Sequence, residues 1–200
     1  MILNVVKQGT HISSVNKKIL NINPDVAVVQ NNLGLIYNEF DKKRLAIDYF
    51  KKSININPKY LEGYNNLGAT YNQLGEYEKA IKYSKLGVEI NPNLVKSYHN
   101  LAYAFSRIGN QKKAIALYKK IIKLDSNFVQ SYFNLGNIYN QQGKFEEAIK
   151  TYKNAININP SYYAPREKLS YLLLSLLKFR EGFEEYEWRI KNKPKKSYKD

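Results

Sequence analysis

Four asparagines recur at one spacing: Asn32, Asn66, Asn100 and Asn134, each 34 residues after the last. A primary amide carries both donors and an acceptor, so it can pair with the C=O and N–H of one peptide unit. Asparagine is also a mediocre helix former, so its return in register asks for a reason. Reactive groups, by contrast, are scattered. His11 and His99 are the only histidines and there is no cysteine, which leaves no pattern for a zinc site or a Ser-His-Asp triad. Glu184 and Glu185 are adjacent, pointing about 100° apart on a helix, a poor start for paired acid and base work. No G-x-x-x-x-G-K-[ST] loop is present. The residues point to recognition rather than catalysis, with no cofactor and no metal.

Elements that could hold such a column follow from the same period. Leu33, Leu67, Leu101, Leu135 and Leu169 align, as do Tyr37, Tyr71, Phe105, Tyr139 and Leu173, and Ala46, Ala80, Ala114, Ala148 and Gly182. Within one unit, Tyr64, Leu67, Gly68 and Tyr71 follow i, i+3, i+4, i+7 and form one apolar helical stripe. Gly68 and Ala80 are small enough to let two helices approach closely. Gly75, Gly109 and Gly143 fall where a positive φ would end the first helix of each pair cheaply, with Asp41 a tolerable substitute and Leu177 in the fifth place. Pro58, Pro92, Pro160 and Pro194 stop the second helix, and Asp25, Asn93 or Ser161 stands ready to cap the next. The fold class is all-α, built of helix-turn-helix units.

Composition agrees with a packed, soluble chain. Hydrophobic residues make up 44% and aromatics 14% of 200 residues, too apolar for disorder. The longest apolar run, Tyr171 to Leu177, is too short to span a bilayer, so no membrane association and a cytoplasmic location are expected. The formal charge of +15 raises the question of nucleic acid. Twenty-seven of the 32 basic residues are lysine, whereas bidentate phosphate recognition favours arginine. The lysines fall where a solvated helix face would be, as in Lys112, Lys113, Lys119, Lys120 and Lys123, so a nucleic-acid partner is disfavoured.

Tyr132, Leu135, Gly136, Tyr139, Gly143, Phe145, Ala148, Tyr152, Ala155 and Pro160 together resemble the tetratricopeptide repeat. That resemblance implies a right-handed superhelix, an α-solenoid, whose first helices line a concave groove. Five units are expected over 24–194, at about 24–57, 58–91, 92–125, 126–159 and 160–193, preceded by a partial repeat over 1–23 and followed by a basic tail, 195–200. The partial repeat holds only a second helix, whose uncovered face would be open to self-association. Phe179 to Arg189 resembles the segment that ends the array in bacterial repeat proteins ahead of a glycosyltransferase-like domain. Read by itself it is an amphipathic closing helix with Phe183, Tyr186 and Ile190 inward.

Asn66 lies about 100° round from the packing stripe, in a stripe of its own with Glu62, Ala69 and Gln73. Packed helices lie about 8 to 10 Å apart and an extended peptide advances about 3.3 Å per residue, so successive asparagines would meet about every third ligand residue. The repeats are similar to those of the O-linked N-acetylglucosamine transferase family, and the resemblance implies an asparagine ladder, Asn32, Asn66, Asn100 and Asn134, that grips peptide backbone. Lys168 ends the column in the fifth unit. Asn38, Asn72, His99, Tyr103, Arg107, Asn137 and Gln141 are the further candidate contacts. Two readings of the function stand: a scaffold for a protein or extended peptide, or the substrate-docking region of a glycosyltransferase. Two readings of the amides stand beside them, since they could instead bond between neighbouring helices.

Overall fold

The structure, a computed structural model, describes residues 26–192 and the side chains of 26–188. The expected partial repeat over 1–23, the cap at Asp25, the side chain of Ile190 and the basic tail lie outside the described residues. Among the described residues there are ten helices and no strand: α1 Ala27–Glu39, α2 Lys43–Ile56, α3 Leu61–Gln73, α4 Tyr77–Ile90, α5 Val95–Arg107, α6 Gln111–Leu124, α7 Val129–Gln141, α8 Phe145–Ile158, α9 Tyr163–Ser175 and α10 Phe179–Asn192. The fold is an all-α tandem repeat of the solenoid class. By internal contacts the chain forms two compact units, Met1–Gly109 and Asn110–Asp200.

In the first unit α1 packs on α2 and α3 on α4, while α2 meets α3, α4 meets α5, and α3 touches both α1 and α5. Its core is Ala46, Ile47, Phe50, Leu67, Tyr71, Ala80 and Ala104, the columns of the 34-residue period. The second unit repeats the plan, pairing α7 with α8 and α9 with α10, with contacts α6 to α7, α8 to α9 and α7 to α9. Ala148, Tyr152, Ile156, Leu169, Leu172 and Leu173 form its core. Each fully buried leucine or aromatic ring contributes roughly 1.5 to 3 kcal/mol, so the apolar columns are what hold the helices side by side. Close approach is visible at Gly136, where an added Cβ would lie 2.7 Å from the Tyr152 ring.

Turns between paired helices fall where the sequence places them. Gly75, Gly109 and Gly143 have φ of 74°, 81° and 72°, and Asp41 and Leu177 both adopt 59°. The residue after the turn donates its N–H five positions back, Lys42 to Tyr37, Glu76 to Tyr71, Lys144 to Tyr139 and Lys178 to Leu173 at 2.8 to 2.9 Å, closing the first helix in a Schellman pattern.

Helix starts differ from expectation. The N-cap positions of α3, α5, α7 and α9 are Tyr60, Leu94, Phe128 and Tyr162, none with a side-chain cap. Asn93 and Ser161 therefore do not cap. Their N–H groups instead donate to Asn91 Oδ1 at 2.9 Å and Asn159 Oδ1 at 3.1 Å, as Lys59 does to Asn57 and Asn127 to Asp125. These Asx turns bend the chain around the proline column. Large residues occupy the caps because their packing outweighs the ~1 kcal/mol of a capping bond: the Tyr162 ring sits edge-on to Phe133 at 5.6 Å.

Helix α10 also turns a different face inward. Phe183 is 53% exposed and Tyr186 only half-buried, while Gly182 is buried and its carbonyl accepts from Ser170 Oγ at 3.0 Å. Arg166 holds the helix further along, with Nη1 2.6 Å from Glu185 Oε2 and its guanidinium 4.0 Å from the Trp188 ring centre. Gly182 occupies the alanine column, where the absence of a side chain lets α10 approach α9 so closely that Phe183 is rotated to the outside.

Candidate peptide-binding stripe

The A helices of the first unit, α1, α3 and α5, carry the first three asparagines of the column. Asn32, Asn66 and Asn100 are all half-buried, on stripes whose outer members, Val28, Leu35 and Glu39, then Glu62 and Gln73, then Lys96 and Arg107, are exposed. Asn66 Nδ2 donates to Asn31 Oδ1 on α1 at 2.8 Å. Asn100 Nδ2 donates to the Asn65 carbonyl on α3 at 3.1 Å. The amides thus tie neighbouring A helices, as the second of the two readings requires. Their Oδ1 atoms accept nothing from the described residues, so each amide is anchored at one end and open at the other.

The remaining candidates divide by burial. Asn72 is buried and its Nδ2 donates to the Asn100 carbonyl at 2.9 Å, a second tie between α3 and α5. The buried Oδ1 atoms of Asn72 and of Asn38, its counterpart 34 residues earlier, have no donor among the described residues. Burial pulls the His99 imidazole down to about 4, so it is neutral near pH 7. Tyr103 is half-buried. Arg107 is exposed, its Nε donating to Tyr77 Oη at 3.1 Å with the guanidinium 5.7 Å from the Tyr77 ring centre.

In the second unit, Asn134 and Asn137 are half-buried on α7 and Gln141 is exposed. Asn137 Oδ1 accepts from Tyr152 Oη at 2.8 Å, and burial pushes that phenol up. Gln141 Oε1 accepts from Gln111 Nε2 at 3.3 Å, and Gln142 Nε2 donates to Gln111 Oε1 at 2.8 Å. These are polar clasps between helices. No group of three His, Cys, Asp or Glu side chains among the described residues could hold a metal ion, and no described helix is long and apolar enough to cross a membrane.

Sequence reasoning missed the column next door. Asn31 is 3% exposed, and Asn65 Oδ1 accepts from Ser97 Oγ at 2.6 Å. The doublet Asn31-Asn32 was the available signal for the first tie, since the Asn31 amide gives Asn66 its partner, whereas Asn100 is held by the main-chain carbonyl of Asn65, which no residue type announces.

Family models described as tetratricopeptide repeat match residues 27–60, 59–127 and 129–162. The chain is a tetratricopeptide-repeat protein. Among curated protein sequences none matches it. Its repeats are similar in structure to MamA, with a TM-score of 0.70 at 22% identity over 84% of this chain and 96% of that one. TTC0263, a thermophilic tetratricopeptide-repeat protein of Thermus thermophilus, gives 0.72 at 20% identity over 86% and 93%. YrrB, described as a tetratricopeptide-repeat protein with an unusual peptide-binding site, gives 0.67 at 14% identity over 90% and 93%. At these identities the likeness establishes the fold. The asparagine ties just described belong to this chain's own repeats.

Proposed function

We propose that this tetratricopeptide-repeat protein is a protein-interaction scaffold that holds an extended polypeptide along the exposed stripes of its A helices. The supporting observation is the half-anchored state of Asn66 and Asn100: one N–H is spent on the neighbouring helix, which fixes the amide plane and leaves Oδ1 to receive a ligand N–H. An anchored amide loses less conformational entropy on binding than a free one. Such contacts read backbone, so affinity would depend weakly on ligand sequence. The peptide-binding site in the description of YrrB supports the same class of ligand. A docking region ahead of a glycosyltransferase domain, which the resemblance of the repeats and of Phe179 to Arg189 implies, would use the same stripe.

The test acts on the ligand rather than on the protein. Extended peptides that bind are resynthesised with single backbone N-methyl groups, which remove one N–H and leave every side chain unchanged. Affinity should fall about tenfold at the positions facing Asn66 and Asn100, the loss of roughly 1.4 kcal/mol, while alanine substitutions in the peptide have smaller effects. Indifference to N-methylation throughout the peptide would overturn the reading.

A further inference from the structure

A second surface feature lies in the fourth repeat. A cavity of about 250 Å³ opens among α6, α7 and α8, with Ile122, Leu135 and Tyr139 on its apolar side and Glu147, Lys150 and Thr151 opposite. Why it exists follows from the repeat register. In the first repeat Tyr49 stacks on Tyr37, ring centres 5.1 Å apart and planes 10° from parallel. In the second, Tyr83 stacks on Tyr71 at 5.5 Å and 10°. The corresponding pair in the fourth repeat is Tyr139 and Thr151, so a ring is missing from the stack. Thr151 turns its hydroxyl back onto the Glu147 carbonyl at 2.6 Å, and Tyr139, which packs against the core on one side, has no aromatic ring stacked on it among the described residues.

We infer that this cavity is a binding site for an aromatic side chain, the ring of a tyrosine or phenylalanine from a partner polypeptide, stacked on Tyr139 in the place that Tyr49 and Tyr83 fill in their own repeats. Three properties of the site fit that ligand. A space of about 150 Å³ suffices for a benzene ring, and the two intact stacks show that a phenol ring seats in this register. The second repeat places Lys79 over Tyr71 at 5.5 Å, whereas the fourth has Glu147 in that column. A carboxylate at the rim can accept from a phenol hydroxyl, which an ammonium, having no acceptor, cannot do. Lys150, in the column of Lys82, which lies 5.8 Å from the Tyr83 ring centre, is placed to cover the incoming ring in the same way. The offset-stacked geometry itself favours an aromatic group over an aliphatic one of equal size.

The experiment titrates the full chain with p-cresol and with N-acetyl-tyrosinamide, observing Ile122 and Thr151 methyl signals by NMR. Both ligands should give saturable shifts at those residues, N-acetyl-leucinamide should bind at least tenfold more weakly, and the double variant Asn66→Ala with Asn100→Ala should bind p-cresol as the parent does. Thr151→Tyr restores the internal stack, so it should raise Tm and abolish the shifts. Thr151→Leu, which copies Leu117 of the third repeat, should weaken p-cresol binding at least tenfold and guards against a tyrosine that fails to seat. The inference is overturned if p-cresol leaves the signals unmoved, if Thr151→Leu binds it as tightly as the parent, or if methylguanidinium binds more tightly than p-cresol.

Discussion

Asn66 Nδ2 donates to Asn31 Oδ1 across α1 and α3 at 2.8 Å, with Asn31 only 3% exposed. A ladder residue is thereby also a strut, so Asn66→Ala should lower stability by about 0.5 to 1.5 kcal/mol, the worth of one hydrogen bond. In a double-mutant cycle by urea unfolding, Asn31→Ala and Asn66→Ala should couple by a similar amount. Strict additivity of the two losses would mean that the bond contributes nothing.

His99 gives the fold a pH dependence. Its imidazole has an ordinary value of 6.5 when exposed and about 4 in the folded chain, through burial. The folded state therefore resists the proton that the unfolded state takes up, and stability is full above pH 6.5 and lost as pH falls from about 6.5 to about 4. The loss attributable to this group is on the order of 3 kcal/mol. Carboxylates titrate in the lower part of the same window, so the measurement is the difference between the parent and His99→Gln in chemical denaturation at pH 7.5 and pH 4.5. The variant should be the less sensitive of the two; equal slopes would refute the assignment.

Leu177 adopts a φ of 59° and is 72% exposed, a left-handed leucine with little packing to compensate it. Leu177→Gly should stabilise the second unit by about 1 kcal/mol, and Asp41→Gly the first by less, since aspartate tolerates this conformation. An added Cβ at Gly109 meets nothing within 4 Å at a φ of 81°, so Gly109→Val should cost more than about 1 kcal/mol through the backbone alone. Thermal melts of the three variants in one buffer are enough to check the order.

Gly136 faces the ring of Tyr152, which is fully buried and pinned by its hydroxyl to Asn137. Gly136→Ala should cost about 1 to 3 kcal/mol by overpacking. Freeing the ring with Tyr152→Phe should reduce that penalty, although the single change Tyr152→Phe itself destabilises by leaving Asn137 Oδ1 without its donor. A penalty unchanged in the Tyr152→Phe background would place the strain in the backbone rather than in the ring contact.

Much of this architecture was legible in the chain because it depends on local periodicity. A 34-residue column of Leu33, Leu67, Leu101, Leu135 and Leu169 needs no knowledge of its neighbours to be read as a buried stripe, and a glycine at 75, 109 or 143 states its own backbone conformation. Pro58, Pro92 and Pro160 likewise follow the ends of α2, α4 and α8, although α6 ends at Leu124 with Ser126 in the same column. Less legible were features in which a side chain chooses among partners. Asn93 and Ser161 have the chemistry of caps, yet Asn91 and Asn159 reach their N–H groups first and the chain enters the next helix one residue later.

By itself, then, the sequence determined the helices, their turns, the small residues at close crossings and the register in which amides recur. Only the tertiary structure decided that Asn66 and Asn100 spend one N–H on a neighbouring helix, that Phe183 faces outward while Gly182 is buried, and that the space beside Tyr139 stays open. The division has one physical cause. Helical periodicity is set by bonds spanning four residues, whereas the partner of an amide, the tilt of a closing helix and the presence of a cavity depend on which side chains, 15 to 35 positions away in sequence, arrive at the same point in space.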